Sequence, residues 1–384
     1  MVYFDVSNVE GKNGLNKKIV ICLNTSWNIY NFRLNLARSL KKAGYDVVLV
    51  APYDKYSDIL KQEFEYHDIF MNNKGTNPKE DIKTLIEFYK LYKAIKPDIV
   101  LNYTIKPNIY GNIACSLLGI KTINNISGLG TVFIKESLIT KVVKSLYKYS
   151  LGKSSKVFFQ NNDDKQLFII NKLVQENKCD LLPGSGIDTN KFISLEYEQS
   201  DNIFRFLLIA RMLWDKGIGE YVEAAKIIKR KYPTVEFQLL GSLDVVNKTA
   251  IDEKQMNLWI KDDLIVYFGS TDDVTQFIKK ADCIVLPSYR EGTPRTLLES
   301  ASMSKPLIAT NVPGCRDVLN DGINGFLCEV KNAKDLADKM EKMINLTSDE
   351  RLAMGKAGRE KMIKEFDESI VISKYLKTIK ELIK

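Results

Sequence analysis

One histidine, His67, stands in a chain of 384 residues. That scarcity excludes a His-x-x-x-His zinc site and argues against a Ser-His-Asp triad. In the strand-like setting EFEYHDIF, a plain packing role suits it. No Asp-x-Asp triplet occurs anywhere, so a metal-bridged diphosphate is not indicated and no metal is expected. The six cysteines form no Cys-x-x-Cys pair, and their apolar settings fit reduced core thiols of a cytosolic protein. No apolar run approaches the ~18 residues of a membrane span. The opening MVYFDVSNVEGKNG lacks a basic region followed by an apolar stretch, which suits an extension better than a secretory signal.

What is present is a basic chain with net charge +8, unevenly spread. Residues 1–200 hold 27 Lys and Arg against 20 Asp and Glu. Within them, residues 101–160 carry eight lysines and one acid, Glu136. Such a local surplus points to a negatively charged partner, whether an anionic membrane surface, a diphosphate or a nucleic acid.

Short apolar runs alternate with amphipathic stretches. KKIVICLN (17–24), DVVLVA, DIVLNY, KTINNI, KVFFQ and CDLLPG read as strands in the first half. FRFLLIA, EFQLLG, LIVYFG, DCIVLPS and PLIAT follow in the second. Between the first two runs, Phe32, Leu36 and Leu40 make a helical stripe ending at Gly44. Strand, helix, strand, twice over, predicts an α/β protein with two parallel sheets covered on both faces. The boundaries read as an extension over 1–16, one domain over 17–195 and a second over 200–365. A final helix, 366–384, packs back through Ile372, Tyr375, Ile379 and Leu382 or Ile383. Ligands on such sheets sit beyond the carboxyl ends of the strands, so the cleft between domains is the expected site.

SYREGTPRTLLES (288–300) follows the buried strand DCIVLPS. Thr293 is suited to cap a helix and Pro294 to its first position. The helix would then begin at the mouth of the cleft, its free N–H groups favouring a diphosphate. Gly292 allows close approach to the backbone. Glu291 reaches what the phosphate carries, and Glu299, over one turn inside, can accept from ribose hydroxyls. The plain alternative is a capped helix with two surface glutamates. IARMLWDKG weighs against it: Arg211 and Lys216 lie beyond another strand and face the same cleft, where they could neutralise a departing diphosphate.

These pieces, with PGCRDVLNDGINGFL (313–327), resemble the nucleotide-sugar-binding half of glycosyltransferase family 4. Its Glu-x7-Glu motif is matched by Glu291 and Glu299, and its Arg…Lys-Gly signature by Arg211, Lys216 and Gly217. In the first half, YTIKPNIYG, ISGLGTVF and GSGIDTNKF resemble a bacterial subgroup that adds N-acetylhexosamines or related sugars to polyprenyl-diphosphate-linked saccharides. The resemblance implies the GT-B fold, two Rossmann-like domains whose parallel sheets face a central cleft, with the acceptor on the first domain and the donor on the second. It implies retaining transfer from a nucleotide-activated sugar, foremost a UDP-N-acetylhexosamine such as UDP-N-acetylgalactosamine and then UDP-galactose or GDP-mannose, in assembly of an O-antigen, capsule or glycoprotein precursor. No metal or other cofactor is implied. Arg211 and Lys216 would hold the diphosphate and Glu291 the donor sugar. Gly292, Thr293, Pro294 and Leu298 would line that pocket, Glu299 would bind ribose, and Gly241 and Ser270 would border donor and base.

Departures from the family pattern lie in the first half. The loop after the first strand, NTSWNIYNFR, lacks paired glycines, so Asn24, Trp27 and Arg33 are assigned to the acceptor side. NNISGLG occupies the place where some relatives carry a histidine, leaving Ser127 and Gly128 there and no side-chain general base. Lys106 is a candidate contact for the acceptor diphosphate. In ESLITKVVKSLYKYSLGKSSK (136–156), Leu138, Val142, Leu146 and Tyr149 form an apolar side. Lys141, Lys144 and Lys148 crowd the remainder, a pattern suited to the inner, cytoplasmic face of an anionic membrane. Two competing functions are a sugar-nucleotide epimerase on the same fold and an inactive nucleotide-sugar-binding subunit. No recognition motif for nucleic acid is present, and none is expected as a partner.

Overall fold

A computed structural model describes residues 17–72, 77–129, 138–194, 201–243 and 247–383. The first sheet contains β1 (Lys18–Cys22), β2 (Asp46–Ala51), β3 (Glu65–Asp68), β4 (Ile99–Tyr103), β5 (Lys121–Ile126), β6 (Lys156–Phe159) and β7 (Cys179–Leu181). Its order is β3-β2-β1-β4-β5-β6-β7, every pairing parallel. The second contains β8 (Arg205–Ile209), β9 (Glu236–Leu240), β10 (Val266–Tyr267), β11 (Cys283–Leu286), β12 (Leu307–Thr310) and β13 (Gly325–Cys328), in the order β10-β9-β8-β11-β12-β13, again parallel.

The near-continuous apolar strands are explained by burial on both faces. In β1, Ile19 and Ile21 pack with Leu36 and Leu40 on one side. Val20 and Cys22 pack with Phe88 and Tyr92 of the helix Pro78–Ile95 on the other. In β8, Phe206 and Leu208 face one core while Leu207 and Ile209 face another. Each such side chain, fully buried, contributes about 1.5–3 kcal/mol of transfer free energy. All six cysteines are buried and unbridged.

The chain crosses between the halves twice, and the crossings are bonded together. Ile187 N donates to Phe366 O at 2.8 Å and Glu368 N to Ile187 O at 3.0 Å. Gly186 has φ +73°, and a Cβ there would lie 2.5 Å from Glu368 Cα. The last helix, Glu368–Leu382, then returns to the first domain. Tyr375 is buried there, 5.2 Å from the Phe158 ring, and accepts from Asn125 Nδ2 at 3.2 Å.

Several expectations are corrected. The stripe Phe32–Leu36–Leu40 spans two helices, Ser26–Phe32 and Leu34–Lys42, broken at Arg33, whose φ is −135°. LIVYFG supplies a strand of two residues only, and β13 had not been read as a strand. His67 is not core: it lies on the outermost strand β3, 35% exposed, 2.7 Å from Glu65 Oε1.

The largest correction concerns the helix Leu138–Leu151. The side chains of Leu138 and Ile139, and residues 130–137, lie outside the described set. The buried face is Thr140, Tyr147, Ser150 and Leu151, with Val143 and Leu146 packed against its core, so the Val142–Leu146–Tyr149 stripe splits and only Val142 and Tyr149 of it are exposed. Tyr147 meets Phe168 edge to face at 5.3 Å. Ser150 donates to Asn108 O at 2.6 Å, and Asn112 Nδ2 donates to Ser150 O at 2.6 Å. Pairing of the Asn108 backbone carbonyl and the Asn112 side-chain amide favours this face, which a count of apolar residues misses. Val142 and Tyr149 therefore stand exposed beside Lys141 and Lys148.

Candidate active site

In both sheets the order reverses beside the first strand, between β1 and β4 and between β8 and β11. Loops that follow strands at both switch points line one cleft. The resulting cleft, about 340 Å³, is lined from the first domain by Asn24, Thr104, Ile105, Lys106, Asn108, Ile126, Ser127, Gly128 and Tyr147, and from the second by Arg211. Thr104 has φ +65°, strain for a β-branched residue that the sequence did not disclose.

The loop after β11 carries Glu291. Its Oε1 accepts from Lys216 Nζ in a pair whose side chains are 13% and 20% exposed, Glu291 first. Lys216 ends a tight turn, Trp214–Lys216, closed by Gly217 at φ +73°. A Cβ on Gly217 would lie 2.1 Å from Pro287 O. Tyr289 N donates to Asp215 O at 3.0 Å. The lysine turn and the glutamate loop are thus stitched together along their backbones. Arg211 is exposed on the cleft wall beyond β8.

The helix after the loop runs Arg295–Ser302, with Pro294 as N-cap and no side chain capping it. Thr293, expected to be the cap, instead donates its hydroxyl across the cleft to Gln160 O at 3.1 Å. The N-terminus is left open for an anion. Glu299, on this helix, accepts from Arg295 Nε at 2.9 Å, and Arg295 Nη1 reaches Gly186 O at 2.7 Å. Burial pushes the Glu299 carboxyl up from its ordinary value, and Arg295 opposes that shift. Glu291 and Glu299 each have their own cation, which keeps both charged groups tolerable in a partly buried site.

Gly292 is sandwiched. A Cβ there would come within 2.4 Å of Ser127 O, and one on Gly314 within 1.9 Å of Gly292 O. Ser127, Gly128, Gly292 and Gly314 therefore meet where the two domains touch. Gly241 ends β9 at φ +145°, its carbonyl accepting from Tyr267 Oη at 2.8 Å. Ser270 is exposed in the loop beyond β10, two residues before Asp272. Asp272 accepts from Tyr56 Oη at 2.7 Å and pairs with Lys55 at 2.8 Å across the cleft.

Three assigned residues are placed otherwise. Leu298 is fully buried in the core of the second domain and cannot line a pocket. Arg33 is 5% exposed, its guanidinium 4.5 Å above the Tyr103 ring and Nη1 bonded to Phe32 O, beneath the cleft rather than in its wall. Lys106 lines the cleft, but its ammonium is held by Asp81 at 2.7 Å, so little charge is left for an acceptor diphosphate. Lys144 is half-buried, unlike Lys141 and Lys148. The sequence reading also missed the run Gln160–Asp164, which bonds to the glutamate loop. Its only signal was a cluster of Asn and Asp directly after the strand KVFFQ.

Comparison with known proteins finds matches along both halves of the chain. Residues 190–361 match the family model "Glycosyl transferases group 1", and residues 18–161 match "Glycosyl transferase 4-like". The chain is 28% identical over 374 residues to N,N'-diacetylbacillosaminyl-diphospho-undecaprenol alpha-1,3-N-acetylgalactosaminyltransferase of Campylobacter jejuni, covering 93% of this chain and 96% of that one. It is 29% identical over 318 residues to UDP-Gal:alpha-D-GlcNAc-diphosphoundecaprenol alpha-1,3-galactosyltransferase of Escherichia coli, covering 79% of each. Among solved structures, a glycosyltransferase from Rickettsia africae superposes with TM-score 0.78 at 21% identity, covering 96% of this chain and 99% of that one. Anabaena HepE in complex with UDP and glucose gives 0.75 at 16% identity, covering 95% and 99%.

Proposed function

This chain belongs to the glycosyltransferases and has the GT-B fold, and on that premise we propose a specific reaction for it. It moves one N-acetylhexosamine, such as N-acetylgalactosamine, from a UDP-sugar to a polyprenyl-diphosphate-linked saccharide, with retention, in assembly of a bacterial surface glycan or glycoprotein precursor. The observation that carries this reading is the Lys216–Glu291 pair standing with Arg211 at the switch point of the second sheet, opposite the Ser127–Gly128 loop. The acceptor class is supported by relatives that align over most of the chain and are named for undecaprenol-linked substrates.

In the proposed step the bond from the sugar C1 to the UDP oxygen breaks. The acceptor hydroxyl oxygen bonds to C1 on the same face, and its proton passes to the departing diphosphate oxygen. Arg211, Lys216 and the open helix N-terminus at Pro294 stabilise the charge that develops there. These groups supply the stabilisation that a metal gives elsewhere, so no metal enters the proposal. Glu291 accepts from a donor-sugar hydroxyl and Glu299 from the ribose. Polar groups of the first domain orient the acceptor, and the protein's main contribution is positioning.

Docking at an anionic membrane from the cytoplasmic side belongs to the same proposal. Exposed Val142 and Tyr149 next to Lys141 and Lys148 support this reading, because an interfacial helix sets apolar side chains among basic ones. Among the described residues, no helix is long and apolar enough to cross a membrane.

The test is transfer from a panel of UDP- and GDP-sugars to a synthetic polyprenyl-diphosphate-N-acetylhexosamine, read by mass spectrometry with chelator present. A mass gain of one N-acetylhexosamine is expected. No gain with any donor, together with no thermal stabilisation by UDP, would remove the proposal.

A further inference from the structure

The glutamate loop is held from the opposite side of the cleft by one short run, Gln160–Asp164, at the start of the helix Asn162–Ile170. Asp164 is 1% exposed, and Arg290, the residue before Glu291, extends its Nη2 to Asp164 Oδ1. The other oxygen, Oδ2, accepts from Asn161 Nδ2 at 3.2 Å, and that same amide donates to Gly292 O at 3.1 Å. Gln160 O receives the Thr293 hydroxyl. Residues 290, 292 and 293 are thus each tied to the first domain, and Asp164 orients two of the three ties.

The helix does not need this carboxylate for itself. Its cap is already made by Asn161 Oδ1, which accepts from Asp164 N at 2.7 Å. A carboxylate so deeply buried is costly unless it is paired, so Asp164 and Arg290 hold each other in one geometry. The loop has no slack to absorb a shift, because a Cβ on Gly292 would already meet Ser127 O at 2.4 Å.

We propose that Asp164 and Arg290 are positioning residues for sugar transfer: their ion pair fixes the Glu291–Gly292 backbone of the donor side against the acceptor domain. The inference rests on the glycosyltransfer reaction proposed above. It assigns the alignment of donor and acceptor to an interdomain pair that touches neither. Neighbouring Asp163 supplies an internal control. It too reaches across the interface, to Arg316 at 2.6 Å, but both side chains are 40% or more exposed and neither bonds the loop.

The experiment measures kcat and donor KM for the full chain carrying Asp164→Asn, Arg290→Gln, both together, or Asp163→Asn, with UDP affinity by calorimetry. Positioning predicts a kcat loss of at least tenfold in either single variant and no further loss in the double variant. UDP affinity should stay within threefold, because its ligands remain on the second domain. Asp163→Asn should stay within twofold of the unaltered chain in both parameters. A kcat within twofold for Asp164→Asn, or equal losses for Asp163→Asn and Asp164→Asn, would overturn the assignment. If Asp164→Asn does not fold, Arg290→Lys decides: it keeps the charge but loses the planar fork. It should lower kcat at least threefold with UDP affinity retained, and an unchanged kcat would overturn the assignment equally. An unaltered chain that transfers no sugar at all would instead fail the reaction itself.

Discussion

Glu291→Gln separates two roles that the site combines. The Glu291 carboxylate pairs with the ammonium of Lys216, the same group assigned to the donor diphosphate. Carboxylate and diphosphate therefore compete for one cation. With side chains 13% and 20% exposed, the pair lies between bulk water and a dry interior. At an effective dielectric near 20, two unit charges at roughly 4 Å attract by about 4 kcal/mol, most of it offset by desolvation. The net value of a charge-assisted bond is about 1.5–3 kcal/mol, and residual solvent access brings it toward about 1 kcal/mol. A neutral glutamine releases Lys216 by roughly that amount, so UDP should bind about fivefold more tightly. Turnover should fall by about 10²-fold or more, since the amide cannot give the sugar the same charged acceptor in the transition state. Calorimetric titration with UDP and mass-spectrometric transfer rates read the two effects separately. UDP binding weakened more than threefold would show that the carboxylate helps to hold the nucleotide, and unchanged turnover would remove Glu291 from the reaction.

Gly217→Ala should destabilise the fold by about 2 kcal/mol or more, because φ +73° and a Cβ only 2.1 Å from Pro287 O both oppose it; a urea-unfolding loss under about 0.5 kcal/mol would contradict this packing. Burial pushes the Cys22 and Cys328 thiols up to about 12 and the Cys283 and Cys315 thiols well above the ordinary range. Iodoacetamide at pH 8 should therefore label almost no cysteine until the chain is unfolded, and rapid native labelling would refute the closed core. Because burial raises Glu299 above its ordinary 4.5, its proton returns at a higher pH than on an exposed glutamate. UDP affinity should thus begin to fall earlier on acidification, and Glu299→Gln should abolish that dependence; an identical pH profile in the variant would exclude Glu299 from the nucleotide site. Lys141→Glu combined with Lys148→Glu should weaken partitioning onto anionic vesicles by at least tenfold, at ~1 kcal/mol for each lysine near the surface, while unchanged partitioning would dismiss this helix as the docking face.

The sequence made the central strands of both sheets legible because a strand covered on two faces must be apolar throughout, as KIVIC and CIVL are, whereas the edge strands β3 and β13 carry no such run. The placement of Glu291, Arg211 and Lys216 together was legible because each lies in the loop that follows such a run, and the end of a strand fixes where its loop must lie. Legibility stopped where a side chain had a choice of partners. Thr293 had the chemistry of a cap, yet its hydroxyl found Gln160 O in the other domain. Lys106 looked free until Asp81, twenty-five residues earlier, proved to hold it. Leu298 followed a binding loop in sequence but points into the core, as its helical phase requires.

The helix Leu138–Leu151 shows where local pattern gives way to tertiary structure. Apolar periodicity grouped Leu138, Val142, Leu146 and Tyr149 on one side, suited to a membrane surface. The fold chose Thr140, Tyr147 and Ser150, because buried Asn108 and Asn112 require partners. By itself, then, the sequence determined the two-domain α/β architecture and the residue types gathered at the strand ends, since burial and backbone pairing act through local composition. Only the tertiary structure decided which charges are free. Ion pairs such as Lys216–Glu291, Lys106–Asp81 and Arg290–Asp164 join residues 75, 25 and 126 positions apart, and electrostatics follows distance in space rather than along the chain.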